Sequence, residues 1–124
     1  MADSVGIDIV DVARMGRLLE RYGHRFVRRI LGAGELAIFE QRLDRAVFLS
    51  GRFAAKEAII KALGEYLKDR PSWAAVQILN DSAGRPRIEL PTFWAERLSR
   101  ITISVSISHE RNYAIATAFC TETK

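Results

Sequence analysis

One cysteine, Cys120, stands in a chain of 124 residues. A lone thiol closes no internal disulfide, so the fold owes nothing to an oxidising compartment, and cysteine-based zinc sites are excluded. Cys120 lies in an apolar run and reads as a small buried hydrophobe, not a nucleophile. No apolar stretch nears the ~20 residues that span a bilayer, so no membrane is expected as partner. The start, Met1-Ala2-Asp3-Ser4-Val5-Gly6, lacks a basic segment followed by an apolar one. No signal peptide is read there, and a cytoplasmic protein is expected. Glycine-rich loops of the spacing that cradles dinucleotides or triphosphates are missing. Helix-turn-helix, zinc-ligand and RNP-like aromatic patterns are missing too, so no nucleic acid is expected. Repeats, low-complexity tracts and linkers are absent, and residues 1–124 are expected to form one domain around one core.

What is present begins with charge. The net charge is +4, which favours an acidic partner or a phosphate-rich ligand. Hydrophobic periodicity gives an α+β order. Val5 to Val10 reads as a strand, with Ile7 and Ile9 on one face and Gly6 and Asp8 on the other. Asp11 is placed to cap a helix to about Tyr22, ended by Gly23. Val12, Met15, Leu19 and Tyr22 form its apolar face, while Arg14, Arg17 and Arg21 form a basic one. Helix resumes toward Ile30, and Glu35 to Leu43 is a further short helix. Phe48 to Leu63, rich in Ala, Leu, Lys and Glu, is the strongest helix, apolar nearly all round and stopped at Gly64. Ser50 is a candidate cap, although an earlier start also fits. Ala74 to Leu79 and Arg87 to Leu90 read as strands around a turn-rich segment from Asn80 to Pro86. Thr92 is placed to cap a short helix to about Leu98. Ile101 to Ser108 alternates strictly between Ile or Val and Ser or Thr, and with Tyr113 to Cys120 it makes a hairpin. Trp73 and Trp94 read as core.

Four charges on the apolar Phe48–Leu63 helix need a reason. Glu57 and Lys61 lie four apart, as do Arg52 and Lys56. The plainer reading is two solvated i,i+4 pairs on partly exposed edges. The chemical reading pairs Glu57 with Asp8, since two carboxylates from different elements suit one hard divalent cation, with Lys61 beside them for a phosphate oxygen. Spacing alone leaves open whether Asp8 and Glu57 meet. His109 opens a turn at the end of a serine-lined strand. It is either a surface histidine or a phosphate or leaving-group contact helped by Ser106 and Ser108. Gly84-Arg85-Pro86 is ordinary turn chemistry or a place for a flat ligand to approach. Arg14, Arg17 and Arg21 have no acidic residue among them. They form either a solvated face or a docking stripe for an acidic surface, with Leu18 as apolar anchor.

These residues taken together resemble a known family. Gly6-Ile7-Asp8-Ile9-Val10 resembles the N-terminal strand of the holo-acyl-carrier-protein synthases. Arg52-Phe53-Ala54-Ala55-Lys56-Glu57-Ala58, followed by Lys61-Ala62-Leu63-Gly64, is similar to their signature helix. Gly84-Arg85-Pro86 resembles their G-x-P turn, and Ser106-Ile107-Ser108-His109 with Tyr113-Ala114-Ile115-Ala116 their C-terminal hairpin. The likeness runs from residue 6 to about 119, while Gly23 to Arg45 matches no motif and Ser72 to Leu79 matches only in pattern.

The resemblance implies the 4′-phosphopantetheinyl transferase fold, a small antiparallel sheet packed with helices. It implies transfer of the 4′-phosphopantetheine arm from coenzyme A to a serine of an acidic apo acyl carrier protein, in support of fatty acid biosynthesis. Asp8 and Glu57 would then bind Mg²⁺, or Mn²⁺ in its place, and Lys61 would contact the coenzyme A diphosphate. Arg52, Gly64, Gly84, Arg85, Pro86 and His109 would surround the adenosine and 3′-phosphate. Arg14, Leu18 and Arg21 would dock the carrier protein, and the family's homotrimer would share each site between chains. Carrier domains of polyketide or peptide synthases are an alternative acceptor. A non-catalytic basic module for an acidic protein or RNA is the rival from another class; it explains the arginines but not Asp8, Glu57 and Lys61.

Overall fold

The computed structural model describes residues 3–123, so Met1 and Ala2, part of the segment searched for a leader, lie outside the described residues, as does Lys124. Strand β1 (Ser4–Asp11) runs into helix α1 (Val12–Tyr22). The side chain of Asp11 accepts from the Arg14 N–H, and Gly23 ends the helix at φ 60°, where a side chain would be strained. Two short helices follow, α2 (His24–Ile30) and α3 (Ala33–Glu40), then the long α4 (Arg45–Leu63). The strands β2 (Gln77–Asn80) and β3 (Pro86–Glu89), helix α5 (Thr92–Arg97), and the hairpin β4 (Ile101–His109) and β5 (Tyr113–Glu122) complete the order.

The main sheet is antiparallel in the order β1-β5-β4, and β2 and β3 pair as a separate ribbon. β5 is central, with Asp8 opposite Ala116 on one side and His109 opposite Ala114 on the other. Ala114, Ala116, Ala118 and Cys120 alternate inward and are buried; Tyr113, Ile115, Thr117 and Phe119 face away and are exposed. The inner side chains are small, so α4 packs close across the sheet through Ala54, Ala55, Ala58 and Ala62. β1 comes closest. A Cβ on Gly6 would stand 2.0 Å from the Ala58 carbonyl oxygen, so only glycine fits there. A second core lies under the helices, formed by Met15, Val27, Ile30, Leu31, Phe39, Phe48 and Leu49.

The α+β class and the antiparallel sheet agree with the sequence reading. Some details differ. α4 begins at Arg45, three residues before Phe48, and Ser50 caps nothing, since its hydroxyl bonds back to the Ala46 carbonyl at 2.6 Å. The expected strand from Ala74 is a 3-10 turn at Trp73–Ala75, with pairing only from Gln77. Pro91, not Thr92, precedes α5, and no side chain caps that helix. Tyr22 is exposed rather than part of a buried face. Gly64 does end α4, but in right-handed geometry at φ −57°.

Candidate functional site

Asp8 reaches α4 because Gly6 lets β1 lie against it. The Lys61 ammonium donates to Asp8 Oδ1 at 3.1 Å and to the Ile7 carbonyl at 3.0 Å. Lys61 therefore pairs with the strand, not with Glu57, its expected partner one turn away on the helix. Glu57 instead accepts from the Trp73 indole N–H at 2.9 Å through Oε2. Asp8 and Glu57 both line one cleft of about 280 Å³ with Arg14, Met15, Leu18, Phe26, Phe53 and Trp73. The two carboxylates that spacing could not connect thus face the same space.

No group of three or more histidine, cysteine, aspartate or glutamate side chains gathers as a metal cluster among the described residues. Two carboxylates are present, which is the donor number that Mg²⁺ commonly takes from a protein when water and phosphate complete its shell. The donor set fits such an ion.

The cleft opens toward a basic surface. A groove of about 590 Å³ shares Leu18 and Phe26 with it and adds Arg21, Tyr22, Arg25 and Arg29. Of the expected docking residues, Arg14 faces the cleft, Arg21 faces the groove, and Leu18 lies on the floor of both. Arg25, Phe26 and Arg29 extend this surface from the segment that matched no motif.

The residues expected to hold the adenosine end stand apart from the carboxylates within one chain. Lys61 and Gly64 border a cleft with Leu67, Lys68 and Arg70. Arg52 and His109 line another of about 110 Å³ with Arg42, Phe48 and Asn80. Gly84 and Arg85 lie in the exposed β2–β3 turn and Pro86 opens β3, with Gly84 at φ 83° and Arg85 ion-paired to Asp81 at 3.3 Å. Arg52 is buried, and its guanidinium lies 4.6 Å above the Phe48 ring. Its Nε is buried without an acceptor, and burial pushes its pKa down. A buried, under-bonded cation of this kind is suited to an anion.

Trp73, expected in the core, does pack half-buried against the second core, and it also lines the cleft and bonds Glu57. Trp94 is also only half-buried, set edge-on against Phe93. Lys56 is fully buried, not half of a solvated pair, and bonds Glu35 at 2.7 Å. Burial pushes the Lys56 ammonium pKa down, against the upward pull of Glu35. The usable signal was a Lys and a Glu each set among apolar neighbours, a placement that calls for a partner. On the sheet's far side, Val5, Ile7, Ile9, Ile115 and Phe119 are exposed together as an apolar face.

A sequence profile of the 4′-phosphopantetheinyl transferase superfamily matches residues 4–118. The chain is 43% identical over 114 residues to a holo-[acyl-carrier-protein] synthase of Chlorobaculum parvum, covering 92% of this chain and 94% of that one. The fold is similar to the crystal structure of the Neisseria meningitidis holo-[acyl-carrier-protein] synthase, with a TM-score of 0.85 and 32% identity over 96% and 98% of the two chains. It is also similar to the Helicobacter pylori holo-[acyl-carrier-protein] synthase in complex with coenzyme A, with a TM-score of 0.80 and 30% identity over 94% and 99%.

Proposed function

Because the chain belongs to the 4′-phosphopantetheinyl transferase superfamily, and within it to the holo-[acyl-carrier-protein] synthases, we propose that it transfers the 4′-phosphopantetheine arm of coenzyme A to a serine of apo acyl carrier protein. The observation that carries this reading is the cleft that brings Asp8, Glu57 and Trp73 together beside an arginine-lined groove. The serine oxygen bonds to the phosphorus that bears the pantetheine. The bond from that phosphorus to the bridging oxygen breaks, and adenosine 3′,5′-bisphosphate leaves with the electron pair. The serine proton passes to a base, for which Asp8 and Glu57 are the carboxylates at hand.

Asp8 and Glu57 would hold Mg²⁺, and Mn²⁺ suits the same oxygen donors. When bound, the ion offsets the charge that builds on the diphosphate. Lys61 supplies a second positive charge to a diphosphate oxygen and orients Asp8. Arg52 and His109, with Gly64 and the Gly84-Arg85-Pro86 turn, receive the adenosine and 3′-phosphate. Arg14, Leu18 and Arg21 dock the acidic carrier. Residues 1–124 form one transferase domain, acting in the cytoplasm with its substrates and serving fatty acid biosynthesis.

The homotrimer with shared sites draws support from two features. The carboxylates and the adenosine-end residues line separate clefts in one chain. The outer face of the sheet is apolar and exposed, and it adjoins Asp8 through Ile7 and Ile9.

Glu57→Ala tests the ligand assignment. Turnover should fall about 100-fold or more, the usual scale for losing one electrostatic contributor, and Mg²⁺ affinity should fall with it. Full activity in that variant refutes the assignment.

A further inference from the structure

We propose that Trp73 is a positioning residue, which sets the Glu57 carboxylate for its cation and is itself held by a buried lysine bracket. The inference rests on the reading of Glu57 as a divalent-cation ligand. An indole N–H is a donor only, and this one donates to Glu57 Oε2 at 2.9 Å. Glu57 Oε1 accepts no hydrogen bond from the described residues and stays available to the cleft that Glu57 lines. An ionised carboxylate has lone pairs to spare on both oxygens, so the indole bond does not exclude an ion.

Both ends of Trp73 are tied to α4 at neighbouring positions. Its side chain bonds Glu57, while its carbonyl accepts from the Lys56 ammonium at 2.9 Å. Lys56 also bonds the Val76 carbonyl and Glu35 Oε1, so all three of its protons are used. Glu35 in turn accepts from the Gly32 N–H at 3.0 Å and, through Oε2, from the Ile78 N–H at 2.9 Å. Lys56 and Glu35 are both fully buried. The Trp73 ring also packs edge-on against Phe53, one turn before Glu57 on α4, with centroids 5.0 Å apart. The indole is therefore fixed at its backbone, its ring and its N–H. A glutamate left to itself samples several rotamers, and ordering a long side chain costs conformational entropy. The bracket meets that cost during folding, before an ion arrives. Partners that orient a metal ligand in this way typically alter metal affinity by about 10- to 100-fold.

Trp73→Phe keeps an aromatic ring beside Phe53 and removes the donor together with part of the indole. Free Mn²⁺ counted by electron paramagnetic resonance, with coenzyme A present and a protein-free coenzyme A control, gives the dissociation constant. The expected result is about a 10-fold rise in that constant at an unchanged melting temperature. An unchanged Mn²⁺ constant in the variant overturns the inference while leaving the cation reading intact. Failure of the unaltered protein to bind Mn²⁺ overturns the cation reading, and the inference with it. A second measurement does not depend on that variant folding. The ¹⁵N-indole signal of Trp73, told from that of Trp94 by Trp94→Phe, should shift when Mg²⁺ and coenzyme A are added, compared with coenzyme A alone. The Trp94 signal should stay. A Trp73 signal that does not move at saturating Mg²⁺ contradicts the proposal.

Discussion

Gly6 shows how a residue with no side chain governs a site. The Ala58 carbonyl occupies the place of its missing Cβ, so β1 lies against α4 with Asp8 two residues further on. Gly6→Ala would force strand and helix apart. Overpacking of this kind costs about 1–3 kcal/mol, or more where backbone is struck. In a domain of this size the melting temperature should drop by roughly 5–10 °C, with loss of turnover as Asp8 moves. A thermal melt matching the unaltered protein would show that the approach is looser than described. At the same scale, Asp8 and Glu57 stood out in the sequence because each carboxylate interrupts an apolar element. Their meeting did not show, because it depends on the packing of β1 on α4, which no spacing encodes. Trp73 was legible as a residue packed on the core but not as one of the cleft, for a similar reason. Indole composition fits a core, and only the partner of its N–H marks it as part of the cleft.

At the level of elements, α1 has a buried apolar face and an exposed basic one. Val12 and Met15 are buried, while Arg14, Arg17 and Arg21 are exposed. Arg14→Glu with Arg21→Glu should raise KM for the carrier protein at least 10-fold and leave KM for coenzyme A within about twofold, since like charges oppose docking. Added salt should weaken docking of the unaltered enzyme, because exposed charge pairs are screened. If both KM values stay the same, the stripe is a solvated face.

Elements with strong periodicity were legible: β1, α1, α4 and the β4–β5 hairpin fall close to where apolar spacing put them. The segment from Gly23 to Arg45 was legible as two short helices, which the structure has at His24–Ile30 and Ala33–Glu40, but its part in the molecule was not. Its role lies in long-range contacts, with Glu35 bound to Lys56 and Ile78, and Arg25, Phe26 and Arg29 lining the groove. The Ala74–Ala75 stretch was misread because its backbone turns to place Trp73 and Val76 carbonyls on Lys56. A buried ammonium with three acceptors fixes this turn, and two alanines carry little β propensity to oppose it.

At the scale of the whole molecule, one chain presents its candidate site residues in separate clefts and an exposed apolar face. Ile9 is 61% exposed on that face and lies next to Asp8 in the edge strand β1. Ile9→Glu would place a charge in the proposed contact between chains. Light scattering should find three chains per particle for the unaltered protein and single chains for this variant, with turnover lost alongside. A variant that stays assembled, or a monomer that keeps full activity, would argue against shared sites.

Apo acyl carrier protein incubated with this protein, coenzyme A and Mg²⁺ should gain the mass of one phosphopantetheine arm by intact-mass spectrometry, and EDTA should prevent the gain. A carrier whose mass stays unchanged, across fatty-acid, polyketide and peptide carrier proteins, would contradict the account.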